Sequence, residues 1–399
     1  MDIRYYTRSA EAGILHSLKY FPVTAVTGPR QCGKSTLVKQ LALKRKGQTA
    51  AGKHGKSGDT YVYLDLERPS DLQKLDNAEW FLSSNKGKLI CIDEVQRKPE
   101  LFPLIRSLAD EWQRPGSFLI LGSASRDLLK QSSQSLAGRI SYKRLTPFLW
   151  GEIEGKHTME QYFFSGGFPR SILAPNAEVS YQWREDFIST FLERDLLQWT
   201  GFTPAAMGRL WRMLAHVNGQ TVNYSTLASS LGISSVSVKK YIDILESTYM
   251  IEVIRPLFSN LGKRLVKAPK VYIADSGITA TLLGLRSFDE LSGHPAFGAI
   301  WEQIVLSNLR GWFPSAEICH YRTAGGAEVD FVLNVGGKTY AIECKASFSP
   351  VLSKGNYLAF EDVAPQQTFV VIPAPEGWPL KPGIDVVSLG ELRHTIEKG

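Results

Sequence analysis

The chain has 399 residues, of which 43% are hydrophobic and 21% are charged, as in an ordinary folded protein and unlike a disordered one. This length allows two or three domains, each with its own core. No apolar run reaches the roughly 18 residues of a membrane span, and the N-terminus lacks a signal peptide's apolar segment, so we expect a cytoplasmic protein without a membrane partner. The net charge of +7 weakly favours nucleic acid as a partner. The four cysteines are widely spaced, which favours neither a zinc site nor a disulfide framework.

The first motif is a phosphate-binding loop. The segment PVTAVTGPRQCGKSTLVKQLAL supplies an apolar strand, a glycine-bounded loop and a helix, and residues 28–35 fit the pattern G-x-x-x-x-G-K-[ST]. We expect Lys34 to reach the β and γ oxygens of ATP and Ser35 to bind Mg²⁺. The backbone N–H groups of the loop and the helix start would surround the phosphates. The predicted nucleotide-binding residues here are Gly28, Pro29, Arg30, Gln31, Cys32, Gly33, Lys34, Ser35 and Thr36.

A second GKS tripeptide lies downstream, within LKRKGQTAAGKHGKSGD. Ala50 stands where the first glycine of the pattern belongs, and no apolar strand precedes it. We therefore expect residues 43–59 to form a solvated basic loop.

Two further apolar runs in this half end in polar residues. In KLICIDEVQ the apolar run is followed by Asp93, which would hold the Mg²⁺ shell, and by Glu94, which would activate the attacking water. In FLILGSAS the apolar run is followed by Gly122 and Ser123, and we expect Ser123 to sense the γ-phosphate. Arg139 follows a predicted helix that Gly138 closes. It has two interpretations that the sequence leaves equal, a catalytic guanidinium acting on a neighbouring subunit's nucleotide and a surface salt bridge.

These motifs resemble those of bacterial AAA-type ATPases that open with GPRQ-x-GKST and carry DE followed by GS-x-S and SLAGR. The same family places GG-[YF]-P in a helical lid, matched by residues 166–169, and ERD, matched by residues 193–195. Cys32 departs from the pattern, where a small apolar residue is expected. The resemblance implies ATP hydrolysis and a C-terminal domain similar to the PD-(D/E)xK, or restriction-endonuclease-like, superfamily. If Arg139 acts in trans, we expect the active form to be a homo-oligomer, for example a ring.

The middle of the chain has a helix-turn-helix pattern. NYSTLASSLGI is followed by SSVSVKKYIDILESTYMIEVI, with Gly232 at the turn and Ser234 or Ser235 as the cap of the second helix. A basic stretch after it would form the β-wing of a winged helix. Such a module either grips DNA phosphates or serves packing and oligomerisation, and the sequence does not decide between them. The candidate phosphate contacts are Ser237, Lys239, Lys240, Lys263, Arg264 and Lys267.

The C-terminal periodicities predict helix 296–311, strands 317–323, 328–335 and 338–346, helix 353–362 and strand 367–373, the αβββαβ order of the nuclease-like superfamily. Gly336 and Gly337 predict a two-residue hairpin turn, which places Asp330 opposite Glu343 and Glu328 opposite Lys345. Cys344 falls on the apolar face.

Facing carboxylates repel unless a cation compensates. We therefore expect Asp330 and Glu343, with Glu302 from the preceding helix, to bind Mg²⁺, Mn²⁺ being an alternative, and Lys345 to orient the water that cleaves DNA. The alternatives are a plain Glu328–Lys345 ion pair, a solvated Glu343, and a domain that only binds DNA or a protein partner in a nucleotide-driven switch or a DNA-binding regulator.

The predicted fold is α/β. It comprises a P-loop AAA-type ATPase domain (1–150), a helical lid (151–203), a winged-helix domain (204–275) and a restriction-endonuclease-like αβββαβ domain (276–399). The predicted activities are ATP hydrolysis and metal-dependent DNA cleavage.

Overall fold

The computed structural model describes residues 5–50, 61–122, 136–195, 203–257 and 265–398, with the backbone alone at 44–50 and 194–195. The chain forms two compact units that meet in sequence at Pro147 and Phe148. The predictions for Ser123, Lys263 and Arg264 concern residues beyond these ranges.

The first unit is a parallel sheet with helices. Its three central strands are buried along their whole length, because apolar runs such as LICID and FLILG pack on both faces, whereas its two edge strands are mostly half-buried. The strand order is β2-β3-β4-β1-β5, and every pairing in it is parallel. The elements are α1 (Ala10–Tyr20), β1 (Val23–Thr27), α2 (Lys34–Ala50), β2 (Tyr61–Asp65), α3 (Pro69–Lys74), α4 (Ala78–Ser84), β3 (Leu89–Asp93), α5 (Leu101–Trp112), β4 (Phe118–Gly122) and β5 (Ile140–Arg144).

This strand order positions the nucleotide motifs. The glycine-rich loop follows β1, and Asp93 ends β3, with β4 between them. Since parallel strands end at one edge of a sheet, both motifs lie at the same edge.

Helix α2 corrects the prediction of a basic loop at residues 43–50, and the rest of that prediction, 51–59, lies outside the described residues. The helix continues to Ala50. Alanine, leucine, lysine, arginine and glutamine all favour helix, and the single Gly47 opposes it by only about 1 kcal/mol relative to alanine.

The second unit begins with helices. The GG-F-P element links the helix Met159–Ser165 to the helix that begins at Pro169, and a π-helical turn at Phe191–Asp195 contains the ERD residues. The helices are α6 (Trp150–Ile153), α7 (Met159–Ser165), α8 (Pro169–Ile172), α9 (Ala177–Thr190), α10 (Pro204–His216), α11 (Tyr224–Leu231), α12 (Ser235–Ser247), α13 (Ser276–Leu282), α14 (Phe288–Ser292), α15 (Phe297–Trp312), α16 (Lys354–Val363) and α17 (Leu389–Lys398).

The predicted helix-turn-helix elements are present. Gly232 ends α11 in the left-handed conformation, with φ of 66°, and Ser234 caps α12 by accepting a hydrogen bond from the Ser237 N–H. Lys239 and Lys240 are exposed on α12.

An eight-stranded mixed sheet occupies the rest of the second unit. Its order is β12-β13-β11-β10-β9-β8-β6-β7. Helix α15, strands β8 to β10, helix α16 and strand β11 follow in the αβββαβ order that the sequence predicts. The strands are β6 (Ile251–Pro256), β7 (Lys270–Ile273), β8 (Glu317–Arg322), β9 (Glu328–Val335), β10 (Lys338–Cys344), β11 (Gln367–Ile372), β12 (Trp378–Lys381) and β13 (Ile384–Ser388).

The strands of the predicted middle domain belong to this same sheet. Strand β6 pairs in parallel with β8 through Arg255 and Pro256, and β7 pairs antiparallel with β6. The division at residues 275 and 276 stays a prediction, but the Lys270 side chain at the start of β7 contacts Glu328 and Asp330 of β9.

The described part of the chain contains no helix long and apolar enough to cross a membrane. All four cysteines are buried and free.

Candidate functional site

The glycine-rich loop is shaped by close backbone approach. A Cβ on Gly28, whose φ is 153°, would lie 2.0 Å from the Leu145 carbonyl oxygen, so only glycine fits. Gly33 and Gln31 also have positive φ, 99° and 60°. The loop therefore turns tightly between β1 and α2.

Lys34 lies within the curve of this loop. Its side chain is buried and its ammonium donates hydrogen bonds to the carbonyl oxygens of Gly28, at 2.9 Å, and Pro29, at 2.8 Å. The cation is thus held at the loop that the sequence assigns to the phosphates.

Ser35 and Asp93 are brought into contact. The Ser35 hydroxyl donates to Oδ2 of Asp93 at 2.6 Å, and the Tyr63 hydroxyl donates to the same oxygen. A hydroxyl and a carboxylate so placed are the oxygen donors that Mg²⁺ prefers, so these residues fit the ion. Burial raises the pKa of Tyr63, and the hydrogen bond to Asp93 raises it further.

Glu94 lies beside these residues in a strained backbone conformation. Its φ of 54° is left-handed, which is uncommon outside glycine, and its side chain accepts a hydrogen bond from the Gln96 amide. Burial raises the pKa of Glu94, an effect that the charge of Lys34 partly offsets. A raised carboxylate pKa brings the group closer to the range of a general base.

The sequence does not indicate the supports of this site. Arg8 is buried and donates to the carbonyl oxygens of Cys32, at 2.9 Å, and Thr146, at 2.6 Å. Tyr63 lies on β2, and its run YVYL is typical of a core strand, so the sequence does not indicate a polar role for its hydroxyl. A buried arginine before the first strand has no local pattern, since its partners lie 24 and 138 residues away.

Arg139 forms the surface salt bridge that one interpretation foresees. Its guanidinium donates two hydrogen bonds to Asp110, one of them 3.0 Å long from Nη2, and a third, of 2.8 Å, to the Ala137 carbonyl. The trans role on a neighbouring subunit stays a prediction.

The second polar cluster lies in the mixed sheet. The hairpin register is as predicted from Val335↔Lys338 to Phe331↔Ile342. Beyond these pairs, the Cys344 N–H donates a hydrogen bond of 2.9 Å to Oδ2 of Asp330. A side-chain oxygen thus accepts the hydrogen bond there in place of a backbone carbonyl. We call the group formed by Glu302, Glu328, Asp330, Glu343, Lys345 and Lys270 the acidic pocket.

Lys270 is the member that sequence reasoning misses. Its ammonium lies 3.0 Å from Oε1 of Glu328, 3.3 Å from Oδ1 of Asp330 and 4.0 Å from Oε2 of Glu302, and its side chain is only 3% exposed. Burial lowers the pKa of Lys270, but the charges of Asp330, Glu302 and Glu328 raise it by more, so the pKa lies above its ordinary value. The signal was a lysine opening the apolar run VYI, because lysine is seldom buried without a partner.

Two ion pairs differ from the expected pattern. Lys345 pairs with Glu343, at 2.7 Å, whereas Glu328 pairs with Lys270 and, at 3.5 Å, with Arg322. The alternative of a Glu328–Lys345 pair is therefore wrong, because Lys270 from β7 reaches Glu328 and Lys345 pairs with Glu343, two residues before it. Glu343 is buried, so the alternative of a solvated Glu343 is also wrong.

Two carboxylates of the acidic pocket, Glu302 and Glu343, have pKa values well above the ordinary value for glutamate. Burial, and then the charge of Asp330, raises the pKa of Glu302 to about 8 and that of Glu343 to about 8. The Tyr272 hydroxyl donates a 2.7 Å hydrogen bond to Glu302. Cys344 is buried as predicted, and burial raises the pKa of its thiol.

This arrangement does not fit a divalent ion. Among the described residues, no three histidine, cysteine or acidic side chains are grouped so that they would hold a metal. Glu302, Asp330, Glu343 and Lys345 are brought together, but the Lys270 ammonium lies 3.3 Å from Asp330 and 4.0 Å from Glu302, two of the three carboxylates that the sequence assigns to the ion.

Comparison with known proteins places both units. Residues 20–154 match the sequence family of the AAA domain, and residues 156–289 and 297–392 match two domains of unknown function, DUF8612 and DUF4143. Uncharacterized protein Rv2008c of Mycobacterium tuberculosis and uncharacterized protein Mb2031c of Mycobacterium bovis are each 36% identical over 389 residues, which is 97% of this chain and 85% of theirs. The chain belongs to the family of these mycobacterial proteins.

Residues 20–154 of the chain therefore form a P-loop ATPase domain of AAA type, which we call the AAA domain. Among solved structures, the Walker-type ATPase PABY2304 of Pyrococcus abyssi is similar at 15% identity and a TM-score of 0.46, over 70% of this chain and 99% of that one.

Proposed function

We propose that the chain binds and hydrolyses ATP at its AAA domain, with Lys34, Ser35, Asp93 and Glu94 as the reacting site. The observation that carries this proposal is the 2.6 Å contact between Ser35 and Asp93, with Glu94 next in sequence. It joins the two motifs that a P-loop ATPase needs at one sheet edge.

Each side chain has a separate role in the proposal. Lys34 binds the β and γ phosphate oxygens, and Glu94 takes a proton from the attacking water. Ser35 and Asp93 hold Mg²⁺, which when bound supplies charge neutralisation to the phosphates. Ser123 as γ-phosphate sensor and the loop residues 28–36 as nucleotide contacts remain predictions.

Phosphate release and fluorescent-nucleotide binding by the full chain test this assignment. We expect Lys34→Ala to lose binding, and Glu94→Gln to keep binding but lose about 10²–10⁴-fold in turnover, the usual contribution of a general base. The control is Glu79→Gln, an exposed carboxylate of α4. Full turnover in Glu94→Gln would overturn the role of Glu94.

For the second unit the better-supported function is binding DNA or a protein partner, within a nucleotide-driven switch. What supports this interpretation over the nuclease is Lys270, whose ammonium pairs with Glu328 and Asp330 of the acidic pocket. The exposed Lys239 and Lys240 of α12 favour DNA. The winged-helix and restriction-endonuclease-like assignments rest on element order, and we assign no nuclease step.

Incubation of the protein with linear and circular DNA, with Mg²⁺ or Mn²⁺, tests this reading. We expect DNA to be retained on gels and to stay uncut. Cleavage by the wild type that Asp330→Ala abolishes would instead establish the nuclease. The homo-oligomer and the cytoplasmic location remain predictions, and sedimentation with and without nucleotide tests the first.

A further inference from the structure

The acidic pocket has its own cation. We infer that Lys270 is the resident cation of this pocket and that a divalent cation is bound there only when the Lys270 ammonium is removed. This inference does not depend on ATP hydrolysis, because every residue in it belongs to the second unit.

The first step of the argument is geometric. The Lys270 ammonium is within 3.3 Å of oxygens from two carboxylates, Glu328 and Asp330, and 4.0 Å from a third, Glu302. An ammonium has three donors and no acceptor, so carboxylates around it satisfy both charge and hydrogen bonding. The carboxylates of Glu328 and Asp330 therefore have a cationic partner without any added ion.

The second step is electrostatic. A divalent ion bound by Asp330 would lie a few ångströms from the Lys270 ammonium. Because Coulomb repulsion scales with the product of the charges, the ammonium repels a doubly charged ion about twice as strongly as a singly charged one at the same distance. Ion and ammonium thus exclude each other.

The third step concerns an oxygen that Lys270 leaves unused. Oε1 of Glu343 pairs with Lys345, but Oε2 is buried and has no hydrogen-bond partner in the described part of the chain. Buried oxygens without partners are uncommon. Together with Asp330 it supplies oxygen ligands for an ion once the ammonium is absent.

Lys270 and the carboxylates of the acidic pocket lie on different secondary-structure elements, so the lysine can be removed without changing the elements that carry the carboxylates. Lys270 belongs to β7, the edge strand of the sheet, whereas the carboxylates come from α15, β9 and β10. Removal of one side chain from the edge strand thus leaves the oxygen donors on their own elements.

Binding of Mn²⁺ alone, followed by electron paramagnetic resonance of the free ion, tests the inference on the full chain without nucleotide. We expect Lys270→Met to bind Mn²⁺ about tenfold or more tighter than wild type, a change that corresponds to about 1.4 kcal/mol. The gain should disappear in Lys270→Met/Asp330→Ala. The matched control is Lys267→Met, which removes an exposed lysine three residues earlier and should gain nothing.

Two outcomes would overturn the inference. One is Mn²⁺ binding by the wild type that Asp330→Ala abolishes, which needs no folded Lys270 variant. The other is a folded Lys270→Met protein that gains no Asp330-dependent site. If Lys270→Met does not fold, Lys270→Met/Glu328→Gln removes one charge of each sign and must show the same gain.

Discussion

The backbone N–H of Gly167 donates a 2.7 Å hydrogen bond to Oδ2 of Asp275, 108 residues further along the chain. Oδ1 of the same carboxylate caps α13 by accepting from the Ile278 N–H at 3.0 Å. The GG-F-P element is thereby joined to the start of α13, and the carboxylate is buried. This contact gives the glycine pair a structural reason within the second unit.

Substitution of Gly166 tests that reason. Its φ is 71°, and an added Cβ would lie 2.1 Å from Oδ1 of Asp275. We expect Gly166→Ala to destabilise the second unit by about 3 kcal/mol or more, because a backbone with φ of 71° and ψ of −165°, which essentially only glycine adopts, costs alanine about 1–3 kcal/mol, and displacement of a buried, hydrogen-bonded carboxylate adds to that cost.

The matched control for this change is Gly155→Ala. Gly155 has φ of 77° and nothing within 4 Å of an added Cβ, so it should show the backbone strain alone. Urea denaturation of both variants measures the difference. Equal losses would show that the Asp275 contact contributes nothing.

Tyr63 is predicted to support the Asp93 carboxylate. We expect Tyr63→Phe to destabilise the first unit, without nucleotide, by about 1.5–3 kcal/mol, the range for a hydrogen bond to a charged group. Tyr61→Phe, on the same strand and without a side-chain hydrogen bond to any described residue, should change stability much less. If thermal unfolding shows the same shift for both variants, the hydrogen bond is not the cause.

Variants of Arg139 and Asp110 distinguish the two interpretations of Arg139, a catalytic role on a neighbouring subunit and a surface salt bridge. If Arg139 acts on a neighbouring subunit, Arg139→Ala should lower ATP turnover by about 10³-fold or more, whereas Asp110→Asn should not. If the salt bridge is the only role, both variants should turn over like the wild type, since exposed ion pairs contribute little. Steady-state phosphate release decides between them.

The acidic pocket predicts a pH dependence of stability. Since the pKa of Glu302 is raised to about 8 in the folded chain, the folded state holds a proton that the unfolded state loses near pH 4.5. Its contribution to stability therefore falls as pH rises from about 4.5 to about 8.

We expect Glu302→Gln to flatten that fall in urea denaturation of the second unit. The comparison must be between variants, because burial lowers the pKa of His320 to about 4, which gives the opposite slope between about pH 4 and 6.5. Glu160→Gln, an exposed carboxylate of α7, should leave the wild-type slope unchanged. An unchanged slope in Glu302→Gln would contradict the assigned shift.

Local patterns predicted much of the fold. Apolar runs bounded by glycine and acid gave β1, β3 and β4, and the glycine pair at 336 and 337 gave the hairpin register, because turn type fixes which residues face each other. The limit of helix α2 was missed because a basic, glycine-interrupted segment is locally compatible with both helix and loop.

The sequence by itself determined the chemistry of the AAA domain, because its phosphate loop and acidic strand are short patterns whose geometry is set within a few residues. It also brought Asp330 and Glu343 together, since a two-residue turn links their strands. Only the tertiary structure decided which cation pairs with Asp330. Lys270 reaches Asp330 across 60 residues through an edge strand, and no local spacing encodes such a long-range contact.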